Sequence, residues 1–145
     1  MNPIKRIFKT HKTRTFILLR IIVGLVFLSE GIQKFLFPEI VGEGRFEKIG
    51  FDYATFFAYF VAVFEIVCGT LVLLGLLTRI ATVPLLVIML TAIVTTKFPI
   101  LINDGFWFMA HAARTDFAMT LLLVFLLIYG PGKFSLDNLF YREKI

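Results

Sequence analysis

Long apolar runs alternate with short polar breaks along this chain, and the runs have the length that crosses a bilayer. A membrane-spanning helix needs about 20 mostly apolar residues. Four such runs occur, at about 16–37, 53–77, 80–97 and 106–129. Pro38 closes the first and Thr78-Arg79 the second. The third carries Pro84 in its first turn or so, where the N–H that proline lacks would be unpaired anyway, and Pro99 lies just beyond its end. The fourth opens after Asn103-Asp104, either of which can serve as N-cap, and ends at Tyr129 before Gly130-Pro131-Gly132. The break between runs two and three is short enough to make them a tight helical hairpin. The pattern predicts an all-α integral membrane four-helix bundle, one domain over residues 1–145.

Composition sharpens this picture. Hydrophobic residues make up 59% of the chain and charged ones 17%, against about 45–50% and about 25% in soluble domains. A soluble enzyme, a disordered chain and a nucleic-acid module are thereby excluded. The net charge of +5 sits outside the apolar runs and reads as topology. Lys5, Arg6, Lys9, Lys12 and Arg14 precede the first run; Lys133, Arg142 and Lys144 follow the last. Basic residues favour the cytoplasmic side, so both termini are expected there, with the connections 38–52 and 98–105 outside. A bacterial inner membrane suits this multi-pass helical chain better than the outer membrane, whose spanning proteins are barrels. The first run is longer than a signal-peptide core and continues into Glu30 and Lys34 instead of a small-residue cleavage site, so it reads as a retained helix.

Ionisable groups at membrane depth are costly and each needs a reason. Arg20, Gly24, Phe27, Gly31 and Lys34 recur at 4-3-4-3 spacing and share one face of span one. Their glycines suit close helix packing, so that face should point at other helices. Glu30 lies one turn before Lys34. Glu65 falls near the middle of span two, with Gly69 one turn on. His111, Arg114 and Asp116 fall in the first half of span four. With the topology above, Glu30, Lys34, His111, Arg114 and Asp116 all lie in the outer half, with Glu65 near mid-depth. They can converge on one polar pocket of nearly balanced charge, as low dielectric demands. Two readings stay open: an ion network that holds four helices in register, or a site for a polar or redox-active small molecule. The phenylalanines and Trp107 read as lipid-facing and interface residues.

Some chemistry is excluded. The single cysteine, Cys68, allows no internal disulfide or dithiol pair, and among apolar neighbours it reads as an inert thiol. The two histidines, His11 and His111, do not make a bis-histidine haem site, and no metal-ligand spacing appears. The chain is expected to carry no resident cofactor. It can still offer a quinone a pocket with apolar walls, hydrogen-bond donors and a proton donor, with Glu65 and Glu30 as candidate catalytic carboxylates. Arg20, Lys34, His111, Arg114 and Asp116 are the candidate ligand-binding residues.

Four pieces in order resemble the DoxX family of small bacterial membrane proteins. They are Arg20–Lys34 with Gly24, Phe27, Glu30 and Gly31; Phe64-Glu65 through Gly69 to Gly75; Thr78-Arg79-Ile80-Ala81; and Gly130-Pro131-Gly132-Lys133-Phe134-Ser135-Leu136-Asp137. The resemblance implies a four-helix membrane bundle and points to Arg20, Lys34, Glu65 and Arg79 as recurring polar positions. Relatives include the membrane subunit of a thiosulfate:quinone oxidoreductase; others are linked to oxidative-stress complexes or to maturation of other proteins. Thiol-handling relatives carry paired cysteines, from which this chain departs. Two functions are therefore expected. One is a quinone-linked redox subunit. The other is a non-catalytic membrane partner that assembles, stabilises or anchors another protein through its outward loops or residues 134–145. A soluble or membrane protein partner, or a second copy of the chain, is expected in either case, beside the lipid bilayer. A solute transporter, with neither repeated halves nor broken helices to support it, is the weakest reading.

Overall fold

A computed structural model describes residues 14–143, with side chains through Phe140. The expectations for Lys5, Arg6, Lys9, His11, Lys12 and Lys144, and for the Arg142 side chain, lie outside the described residues. Every regular element among those residues is helical: α1 (Phe16–Leu36), α2 (Pro38–Val41), α3 (Glu43–Lys48), α4 (Ala54–Leu74), α5 (Thr78–Ala92), a π-helical turn (Ile93–Lys97), α6 (Phe98–Asn103), α7 (Phe106–Tyr129) and α8 (Leu136–Glu143). Four spans are long and apolar enough to cross a membrane: α1, α4, the continuous stretch Thr78–Asn103, and α7. Lipid leaves backbone groups no solvent partner, so helices satisfy them internally.

Small residues bring α1 and α4 together. The buried face of α1 holds Arg20, Val23, Gly24, Phe27, Gly31 and Lys34. Opposite it, α4 presents Ala54, Ala58, Ala62, Glu65, Gly69 and Val72. A methyl group on Gly31 would stand 2.8 Å from the Ala62 carbonyl oxygen, and one on Gly24 would overlap Leu73. The second helix pair is α5 with α7. Val23, Phe27, Val72, Leu85, Leu123 and Leu126 fill the space between the pairs.

The third span differs from expectation. It does not stop before Pro99 but runs on to Asn103, and Pro84 lies in its second turn. The reason is the π-turn, which widens the helix by one residue ahead of Pro99. Carbonyls there find other donors: the Thr95 hydroxyl donates to Thr91 O at 2.8 Å and the Thr96 hydroxyl to Ala92 O at 2.5 Å. Only Asp104 and Gly105, the latter at φ +90°, separate this span from α7.

At one end of the bundle a clasp forms. Gly75 (φ +68°) and Leu77 (φ +48°) turn the α4–α5 hairpin through the left-handed region. The segment after α7 folds back onto that turn. Asp137 is fully buried there; its two carboxylate oxygens accept the N–H groups of Leu77 at 2.7 Å and Thr78 at 3.1 Å. It caps α5 from about 60 residues away. Arg20 donates to the carbonyls of Leu73, Pro131 and Phe134, and Arg79 to that of Ile128. A side chain at Gly75 would strike both Arg20 and Ser135.

Candidate functional site

At the opposite end the two helix pairs diverge around a cavity of about 550 Å³, well within the range of small-molecule sites. Its walls are mostly apolar: Phe27, Phe46, Phe51, Phe57, Phe60, Val61, Ile88 and Met119 among others. The 38–52 connection folds over it and contributes Arg45, Phe46, Ile49 and Phe51.

Two ion pairs face this space. On the α1–α4 side, Lys34 Nζ lies 2.7 Å from Glu65 Oε2 and 3.9 Å from Glu30 Oε2, and reaches the Glu30 carbonyl at 3.4 Å. The Lys34 and Glu65 side chains are only 8% and 5% exposed, whereas Glu30 is 44% exposed. The buried pair is formed because α1 and α4 approach so closely at Gly31, near both residues. On the other helix pair, Lys97 Nζ lies 3.1 Å from Asp116 Oδ2. Arg45 completes the charged lining. Glu30, Glu65 and Asp116 therefore balance Lys34, Arg45 and Lys97.

The structure thus gathers Glu30, Lys34, Glu65 and Asp116 but not the other expected site residues. Arg20 lies 14 residues before Lys34 on α1, about 21 Å along the helix, and is occupied by the clasp. His111 and Arg114 are outside the cavity on α7 and bond to each other, with Arg114 Nη1 2.6 Å from His111 Nε2. The reason is rotational: α7 turns Ala112, Thr115, Asp116 and Met119 to the cavity, and each step along a helix is about 100°. Cys68 is buried and forms no disulfide.

Lys97 and Arg45 are the residues that sequence reasoning missed. Lys97 reads as the polar end of a span that stops at Pro99, and only the π-turn keeps it on the helix and facing inward. Arg45 is one of six charges in a connection whose fold has no periodic signal. Among the described residues no group of three or more His, Cys, Asp or Glu is placed to hold a metal ion.

The DoxX family model matches residues 15–97. The chain belongs to the DoxX family. This DoxX chain is 58% identical over 139 residues to the uncharacterized membrane protein Rv3486 of Mycobacterium tuberculosis (strain ATCC 25618 / H37Rv), covering 92% of the chain and 85% of that protein. It is 32% identical over 130 residues to a Bacillus subtilis (strain 168) protein named "Putative oxidoreductase CatD", covering 88% of each. No solved structure matches. The DoxX-like pieces now have physical roles. The beginning of the first, the end of the second, and the third and fourth meet in the clasp. The end of the first and the start of the second build the Lys34–Glu65 pole of the cavity.

Proposed function

We propose that this DoxX-family membrane protein is the quinone-holding subunit of a redox system, working with a partner protein that supplies the electrons. The observation that carries this reading is an apolar cavity of about 550 Å³ that ends on a buried Lys34–Glu65 pair. The residues present fit a quinone head: phenylalanines offer flat apolar walls, and Lys34, Arg45 and Lys97 are cationic donors for carbonyl oxygens. A bound quinone supplies the redox chemistry, the uptake of two electrons and two protons. Lys34 orients an acceptor by donating from Nζ. Glu65, ionised in its pair with Lys34, relays protons during reduction, and the more exposed Glu30, which shares Lys34, connects that carboxylate to the aqueous side. The oxidoreductase name of the Bacillus subtilis relative supports the same reading.

The orientation belongs to this proposal. Arg14, Arg79 and Lys133 flank the spans at the clasp end, against Arg45 and Lys48 in the connections at the cavity end. Basic residues favour the cytoplasm, so the cavity opens to the outer side of a bacterial inner membrane.

A second reading, a non-catalytic partner that anchors another protein, draws on the exposed apolar side chains of Phe134, Leu139 and Phe140 around α8. One measurement separates the two. Gently purified protein, extracted with organic solvent, should yield about one quinone per chain above a lipid-only control, and Glu65→Gln should lower that value with the protein still folded. Background quinone in the wild type overturns the redox reading and sends the search to partners of α8.

A further inference from the structure

The cavity has two poles, and the redox reading uses mainly one. The Lys34–Glu65 pair is the more buried of the two, with side chains 8% and 5% exposed. The Lys97–Asp116 pair is more open, with side chains 14% and 21% exposed. It faces the same space from the other helix pair, beside Thr91, Thr95 and Thr115. We infer that Lys97 and Asp116, aligned by the π-turn, form a second ligand-contacting pole, so that the site selects a flat neutral molecule with an acceptor at each end: a para-quinone and not a single-headed amphiphile. This inference rests on the quinone-holding reading and makes its ligand class narrower.

The π-turn is the first argument. An ordinary α-helix through Ile93–Lys97 would need one residue fewer, and each added residue turns the rest of the helix by about 100°. The extra residue therefore sets the direction of Lys97. The widened turn is held by the Thr95 and Thr96 hydroxyls, and Pro99 follows directly after it, where the shifted bonding accommodates the N–H it lacks. Such turns recur at functional sites. Here the turn delivers a cation to the cavity and to Asp116.

Charge is the second argument. The lining carries three acids and three bases. A fatty acid or other single-headed anion would add an unbalanced charge in a low-dielectric space, which is costly. A neutral molecule keeps the balance. A lysine ammonium on each helix pair then provides one strong donor for each of two separated oxygens.

The test uses full-length protein in nanodiscs and equilibrium dialysis with two probes of similar size. One is 2-methyl-1,4-naphthoquinone, with two opposed carbonyls; the other is α-tetralone, with one. The wild type should bind the naphthoquinone about tenfold or more tightly than α-tetralone, the scale of one charge-assisted hydrogen bond. Lys97→Met should erase that preference by weakening naphthoquinone binding and leave α-tetralone unchanged. The neutral pair Lys97→Met with Asp116→Leu leaves no unpaired charge, so it isolates ligand contact from bundle stability. It should stay folded and show the same lost preference, and it decides the matter if the single variant does not fold. A wild-type preference retained in the folded double variant overturns the inference. If Glu65→Gln still weakens naphthoquinone binding in that case, the quinone-holding reading stands without it. If the wild type binds neither probe, both fall together.

Discussion

Lys34 is buried beside Glu65 of α4 and lies 3.9 Å from Glu30 of its own helix, so its closest compensation lasts only as long as α1 and α4 keep their places. Removing one partner of a buried pair strands the other and costs about 3–5 kcal/mol, whereas replacing both by apolar groups is often neutral. Lys34→Met should therefore lower the melting temperature of the purified protein sharply, and Lys34→Met with Glu65→Leu should restore much of it. A double variant no more stable than the single one would show that the pair does not act as a unit. Asp137 makes a similar point at the other end. Asp137→Ala removes two bonds to the α5 N-terminus and the carboxylate beside Arg20, and should cost about 2–3 kcal/mol. Because the clasp lies far from the cavity, the proposed quinone binding per folded chain should stay at the wild-type level. Much at this scale was legible in the sequence. The spacing of Arg20, Gly24, Phe27, Gly31 and Lys34 marks one packed face, and all five are buried. The use of Arg20 was not legible, because its partners are backbone carbonyls at least 53 residues away, and backbone oxygens leave no mark in a residue pattern.

At the scale of elements, the close approach of α1 and α4 rests on residues without side-chain bulk. Gly31→Val should push α1 away from the Ala62 carbonyl and separate Lys34 from Glu65. Overpacking of this kind costs about 1–3 kcal/mol, and here it should also reduce the proposed quinone binding. Pro99→Ala should change stability by less than about 1 kcal/mol, since the π-turn already displaces the bond that the missing N–H of Pro99 would make. A large loss of thermal stability in that variant would show that Pro99 holds the π-turn in place. The four spans themselves were legible, because hydropathy and length decide membrane crossing with little help from tertiary context. The end of the third span was not. Proline and the residue before it usually stop a helix, and the rule fails here because the π-turn and two threonine hydroxyls take over the displaced bonding. The same element hid Lys97, and with it the polar lining that the second helix pair contributes through a cation.

For the whole molecule, two helix pairs pack tightly at the clasp and part at the cavity. The proposed orientation has a direct check. In a Cys68→Ala background, Asp104→Cys should react with a membrane-impermeant maleimide applied from outside intact cells, and Lys133→Cys should react only after the membrane is opened. The reverse pattern would place the cavity on the cytoplasmic side. The convergence of Glu30, Lys34, Glu65 and Asp116 on one end could be reached by counting spans and directions. The exclusion of His111 and Arg114 could not, because a count of spans gives depth and not rotation about the helix axis.

The clasp also has a meaning in time. A ribosome delivers α1 before the other spans and Asp137 only after all four. Until residues 131–137 emerge, Arg20 lacks two of its carbonyl acceptors and the start of α5 lacks its cap. The first span is thus released into the membrane with an unfinished polar end, and the segment after the fourth span completes it. A chain halted after Tyr129 holds all four spans yet should be cleared by membrane proteases far faster than one extended through Glu143. Quality control of this protein would then read a single late event, the arrival of one aspartate, as the sign that all four spans have been made and joined.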